Sequence, residues 1–96
     1  MNKNNIIEII RNEKPYLQNK FGVEEIGLFG SYARNEEKND SDIDILVNIK
    51  TPSLASLIGI SDYLQEKLKI KIDLVRKGPH LSARFLNLIN RDLIYV

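Results

Sequence analysis

No cysteine occurs in the 96 residues. That absence excludes disulfides, thiolate metal ligands and a cysteine nucleophile, and gives no sign of an oxidising compartment. The one histidine, His80, sits in a Gly-Pro-His loop and reads as a surface or capping residue rather than a base. Neither sign of charge dominates: 14 basic and 13 acidic side chains, mixed along the chain, leave a net charge of +1. A broad basic surface is therefore excluded, and nucleic acid is not expected as a bulk ligand. No run approaches the roughly 18 apolar residues of a membrane span, and the N-terminal apolar stretch, interrupted by Glu8, is too short for a signal peptide. A cytoplasmic protein without membrane association is expected. Repeats, low-complexity tracts and linkers are also missing, so residues 1–96 read as one domain. A chain of this size buries only somewhat more than about 60% of its unfolded surface, and its stability is expected to lean on a partner.

What is there is an alternation of helical and strand patterns. Ile6, Ile9, Ile10, Glu13 and Leu17 fall near a helical period, which predicts a helix over 3–20 ended by Gly22. Pro15 within that span predicts a break near Asn12 to Lys14, or a second short helix with Pro15 in its first turn. Glu25 to Phe29 reads as a central strand, Ser41 to Val47 as a second and Lys69 to Val75 as a third. Thr51-Pro52-Ser53 opens a helix with Leu54, Leu57, Ile58, Ser61, Leu64, Gln65 and Leu68 at helical spacing, expected to cover Ile43, Ile45 and Val47. Leu81, Arg84, Phe85, Leu88 and Ile89 predict a last helix, and Leu93 to Val96 a short edge strand. The short connection between the first two strands favours antiparallel or mixed pairing. The fold class is α/β (α+β), a small mixed β-sheet with helices packed on one face.

One stretch departs from ordinary core patterning. Leu28 to Val47, LFGSYARNEEKNDSDIDILV, places Asp42 and Asp44 two residues apart inside an apolar run. Residues i and i+2 of a strand project from one face, so the two carboxylates stand side by side while Ile43 and Ile45 point away. Like charges at that spacing repel and invite a cation. If the third strand pairs beside the second, Asp73 joins them; otherwise it pairs with Lys71 or Arg76. Hard oxygen ligands on rigid strands suit Mg²⁺, and two such ions roughly 3.5 to 4 Å apart can clamp the oxygens of a phosphoryl displacement. Gly30 permits close backbone approach, and Ser31, a candidate cap for a turn through Arg34, can hold phosphate oxygens with the turn's amides. Arg34 either binds phosphate or pairs with the acidic loop. Arg76 and Lys77 read as a solvated loop, and Tyr16, Tyr32, Tyr63 and Tyr95 as core or rim aromatics.

Gly30-Ser31-x-x-Arg34, the polar loop, Ser41-Asp42-Ile43-Asp44-Ile45-Leu46-Val47 and Ile72-Asp73-Leu74-Val75 follow one another in this order over nearly the whole chain. Together they resemble the minimal nucleotidyltransferases (MNT type) of the polymerase-beta-like superfamily. The resemblance implies the palm-like nucleotidyltransferase fold and Mg²⁺-dependent transfer of a nucleoside monophosphate, usually AMP from ATP, with release of pyrophosphate. It implies that Asp42 and Asp44 bind both of two Mg²⁺ ions, and that Asp73 binds one and helps activate the acceptor hydroxyl. Gly30 and Ser31 would hold the triphosphate, with Arg34 as a further nucleotide contact and Tyr32 close enough to touch it. Stand-alone proteins of this type are commonly antitoxins paired with a HEPN-domain ribonuclease toxin, and some add AMP to a tyrosine of that toxin.

The function this resemblance implies is AMP transfer to a hydroxyl, a tyrosine, of a HEPN toxin. The alternative is a non-catalytic antitoxin that neutralises its partner by binding alone. A small hydroxylated acceptor such as an aminoglycoside is disfavoured, because little chain remains to shape its pocket. Asn35 departs from the family pattern, which often has glycine there; asparagine tolerates the left-handed conformation, so the turn is expected to survive. The second helical domain of larger relatives has no counterpart in these residues. The walls for base and acceptor are then expected from a homo- or hetero-oligomeric partner.

Overall fold

The computed structural model describes residues 1–96. Helix α1 (Lys3–Phe21) starts at Asn2, whose side chain accepts from the Asn5 backbone N–H while Asn2 N–H donates to the Asn5 side chain, satisfying two end donors reciprocally. Gly22, at φ 71°, ends it in the left-handed conformation as expected. Pro15 does not break the helix. It lies with Arg11, whose carbonyl loses its partner, on the exposed face, where water can take the place of the missing bond.

Strand β1 (Val23–Phe29) leads into a single helical turn, α2 (Gly30–Ala33), and then by a loop to β2 (Ile43–Ile49). Helix α3 (Leu54–Leu68) carries the chain back to β3 (Ile72–Arg76), and α4 (Ala83–Asn90) precedes β4 (Ile94–Tyr95). The sheet order is β3-β2-β1-β4; β1 is antiparallel to β2 and β4, while β2 and β3 are parallel. The parallel pair is possible because α3 supplies the long crossover that parallel strands need. The strands that carry the unusual sequence, β1 and β2, are the two inner ones.

Ile43, Ile45 and Val47 point into the main core, as the alternation requires, and meet Ile6, Ile10 and Leu17 of α1 and Ile60, Leu64 and Leu68 of α3. The buried stripe of α3 is rotated from the expected one. Leu57, Ile60, Leu64 and Leu68 turn inward, whereas Leu54 (75% exposed) and Ile58 (53%) face outward. The inward set recurs at steps of three, four and four, which keeps one line along a 3.6-residue helix that must cover both the sheet and α1. Ser53 accepts from Ser56 N–H at 3.1 Å and caps α3. Ser53→Ala is expected to lower stability by about 1 kcal/mol, read as a fall of roughly 4–8 °C in Tm, since an orphan donor loses its acceptor.

The expectation of helices on one face holds for α1 and α3 but not for α4. Leu46, on the Asp44 side of β2, and Ile89 of α4 are buried outside the main cluster, and α4 lines a cleft with Asp44. This helix therefore stands on the opposite side of the sheet from α1 and α3. No helix is long and apolar enough to cross a membrane.

Candidate active site

The site begins where β1 ends. Phe29 pairs with Asp44 across the β1–β2 ladder, so the chain leaving β1 at Gly30 passes directly over the Asp44 side chain. Gly30 has φ 76°, and a Cβ there would overlap Asp44 Oδ2 and lie 2.8 Å from its Cγ. Only glycine meets both demands. The turn closes through Arg34 N–H to Gly30 O at 3.1 Å, and Glu36 N–H donates to Ser31 O at 2.9 Å. Ser31 is not its cap: Phe29 holds that position without a side-chain bond, and Ser31 lies half-buried within the turn. Asn35 takes φ 58°, so the asparagine adopts the left-handed conformation the turn demands.

The parallel register places Asp73 directly beside Asp44, a backbone separation of about 4.8 Å between adjacent strands. Asp42, two residues before Asp44, precedes the first residue of β2, and its Oδ2 lies 3.9 Å from Lys71 Nζ. Burial, then repulsion from Asp73 and Asp42, pushes the Asp44 carboxyl up to about 6. Carboxylates in that state lack positive charge, and a hard divalent cation would supply it. The donor set, Asp44 and Asp73 on paired strands with Asp42 just before the first of them, fits Mg²⁺ completed by water and phosphate oxygens. The three carboxylates do not close into a preformed cage.

Above Asp44 lies a cleft of about 720 Å³ lined by Phe29, Gly30, Arg34, Asp44 and, from α4 and its exit, Phe85, Leu88, Ile89, Arg91 and Asp92. Its volume is that of an ordinary small-molecule site, about 300–1,000 Å³. One wall is polar and the other apolar. Arg34 lines it but is held by two carboxylates, with Nε donating to Glu36 Oε1 and Nη1 to Asp92 Oδ2, both at 2.8 Å. The acidic-loop alternative for Arg34 is thus realised, and Asp92 is an addition. Asp92 and Arg91 escaped the sequence reading because nothing local ties them to a turn some 58 positions earlier.

Other candidates lie elsewhere. Tyr32 is buried in the main core and does not line the cleft. Arg76 meets His80 at 3.0 Å, and Lys77 donates to Glu25 Oε1 and to the Tyr95 hydroxyl, each at 3.2 Å. Those contacts sit toward the end of the sheet away from Asp44 and Asp73, because β3 runs parallel to β2 and Lys77 N–H binds Val47 O.

A glycine–serine turn stacked on paired strand aspartates, beside a cleft of nucleotide size, defines a nucleotidyltransferase architecture, and the chain belongs to the nucleotidyltransferase domain family, which it matches over residues 7–95. Among its relatives, the protein adenylyltransferase MntA of Thermococcus cleftensis is 42% identical, with 95% of this chain and 92% of that one aligned. A Methanocaldococcus jannaschii protein, provisionally named a protein adenylyltransferase, is 46% identical over 95% of this chain and 94% of its own. The fold superposes with a TM-score of 0.69 on a chain of a toxin–antitoxin complex solved with AMP-PNP, at 26% identity, covering 99% of this chain and 72% of that one.

Proposed function

We propose that the protein transfers AMP from ATP to a hydroxyl, a tyrosine side chain, of a partner HEPN-domain toxin, and so acts as its antitoxin. The observation that carries this reading is the register of Asp44 against Asp73 beneath the Gly30 turn. Carboxylates crowded until one is pushed up to about 6 destabilise the free protein, which is reasonable only where a cation and its phosphates relieve them. The names of the relatives support the same class of reaction.

Asp42, Asp44 and Asp73 would hold two Mg²⁺ ions, which supply Lewis-acid charge at the phosphoryl oxygens. Gly30 lets the polyphosphate approach the backbone, and Ser31 offers its hydroxyl to a phosphate oxygen. Phe85, Leu88 and Ile89 offer the nucleoside an apolar wall. Asp73, on the edge strand and exposed, is open to an incoming acceptor and takes its hydroxyl proton. The acceptor oxygen bonds to the α-phosphorus, the α–β anhydride bond breaks, and pyrophosphate leaves. On this reading the acceptor belongs to another protein, which supplies its own hydroxyl to the exposed Asp73 edge.

Mass spectrometry of the partner after incubation with ATP and Mg²⁺ tests this. The partner is expected to gain one or more AMP units with the wild-type chain and none with Asp42→Asn. If Asp42→Asn neutralises the toxin as well as wild type does and no mass is added by either, neutralisation is by binding alone.

A further inference from the structure

Asp92 lines the cleft, yet an ionised carboxylate accepts hydrogen bonds and donates none, so toward phosphate by itself it can only repel. What it contributes there runs through Arg34, whose Nη1 donates to Asp92 Oδ2 at 2.8 Å. Glu36, the other carboxylate on that guanidinium, belongs to the same turn and moves with it. Asp92 comes from a distant part of the chain and is the better anchored of the two, its side chain 22% exposed against 63% for Glu36. Its backbone is fixed as well. Asp92 N–H and Leu93 N–H both donate to the carbonyl of buried Ile89 at 3.1 Å, and Ile94 and Tyr95 then pair with Leu28 and Gly27 of β1, the strand that leads to Gly30. Gly27 lets this junction close, because a Cβ there would lie 2.7 Å from Leu93 Cδ1. Asp92 therefore stands on a part of the sheet held in register with the glycine–serine turn.

We propose that Asp92 is a positioning residue for the nucleoside triphosphate: it holds the Arg34 guanidinium in the wall of the cleft with Nη2 left for an oxygen of the polyphosphate tail, an inference that rests on the nucleotide-transfer reading of this cleft. Nη2 takes part in none of the chain's hydrogen bonds or ion pairs. The rigid fork of an arginine permits this division, since its donors point along separate edges of one plane and two of those edges are already occupied by carboxylates. A long side chain without such a partner must be ordered when the ligand binds, and that ordering opposes association. Held beforehand by Asp92, Arg34 loses little. A half-exposed ion pair adds little to folding stability, so the effect of Asp92 belongs in nucleotide affinity.

Calorimetric titration of the full chain with ATP and with AMP, both with Mg²⁺, tests it. Asp92→Ala is expected to weaken ATP binding about fivefold, the cost of ordering one long side chain, and to leave AMP nearly unchanged. Asp92→Glu keeps the carboxylate and should recover part of the loss. In an Arg34→Ala background, Asp92→Ala should cost nothing further, because its effect runs through that guanidinium. Tighter ATP binding by Asp92→Ala would show that the carboxylate acts by repulsion, and would overturn the proposal. So would an unchanged ATP affinity, equal losses for ATP and AMP, or losses that add in the double variant. Failure of the wild-type chain to bind ATP at all would overturn the nucleotide reading and this proposal with it, whereas the other failures are seen with wild-type binding intact. Thermal melts show whether each variant is folded, and the nearly isosteric Asp92→Asn carries the same ATP-specific loss at smaller size.

Discussion

Asp44→Asn is expected to abolish AMP transfer and, at the same time, to make the metal-free protein more stable at pH 8. The loss of transfer follows from removing a carboxylate common to both proposed ions. Several kcal/mol of transition-state charge stabilisation go with it, and about 4 kcal/mol corresponds to a thousandfold in rate. The gain in stability follows from the carboxyl being pushed up to about 6 by burial and by Asp73 and Asp42. A raised pKa means that the folded state holds the proton more tightly than the unfolded chain does. The contribution favours folding below about 4, is lost as pH rises through about 6, and leaves the ionised carboxylate as a burden above that. Asparagine cannot ionise and has nearly the same shape, so it does not carry this slope.

A carboxyl raised to about 6 would be worth roughly 3 kcal/mol, and partial exposure of Asp44 reduces this to about 1 kcal/mol, or roughly 4–8 °C in Tm. Millimolar Mg²⁺ should raise the Tm of the wild-type chain and have little effect on the variant. A variant that labels the partner at the wild-type rate would remove Asp44 from the chemistry. One that melts at or below the wild-type temperature at pH 8 would instead refute the electrostatic account.

Gly30→Ala is expected to damage both stability and activity, and by a different route. At φ 76° a β-carbon costs about 1–2 kcal/mol in backbone strain alone. The overlap with Asp44 Oδ2 adds to it, because either the turn or the carboxylate must move. A fall in Tm of roughly 10 °C and transfer reduced at least a hundredfold are the expected results. Gly22→Ala provides the comparison. Its φ of 71° carries the same strain, yet a Cβ there would lie 3.7 Å from the nearest atom, at Lys50, so it should lose stability without losing the activity of the folded fraction. Equal specific activities for the two folded variants would show that Gly30 acts through the backbone only.

Much of the site was legible because its signals are local. The two-residue period of a strand turns Asp44 away from Ile43 and Ile45 whatever the strand packs against, although β2 starts only after Asp42, and the glycine–serine pair at a strand exit needs only its neighbours to make a turn. Asn35 is read the same way: its left-handed φ follows from what asparagine tolerates and a short turn demands. The phase of α3 was less legible. Leu54 and Ile58 are apolar and helically spaced, yet which apolar stripe turns inward depends on α1 crossing above it. Pro15 misled because a local rule forbids what an exposed carbonyl permits.

By itself the sequence determined the element order, the strand faces, the crowded carboxylates and the family to which they belong, since each depends on spacing within a few residues. Tertiary structure alone decided that β3 lies parallel to β2 with Asp73 at the height of Asp44, that α4 crosses to the aspartate side, and that Arg34 is bound to Asp92. Register between strands and the meeting of distant charges depend on how α3 and α4 pack, and packing is a property of the whole core.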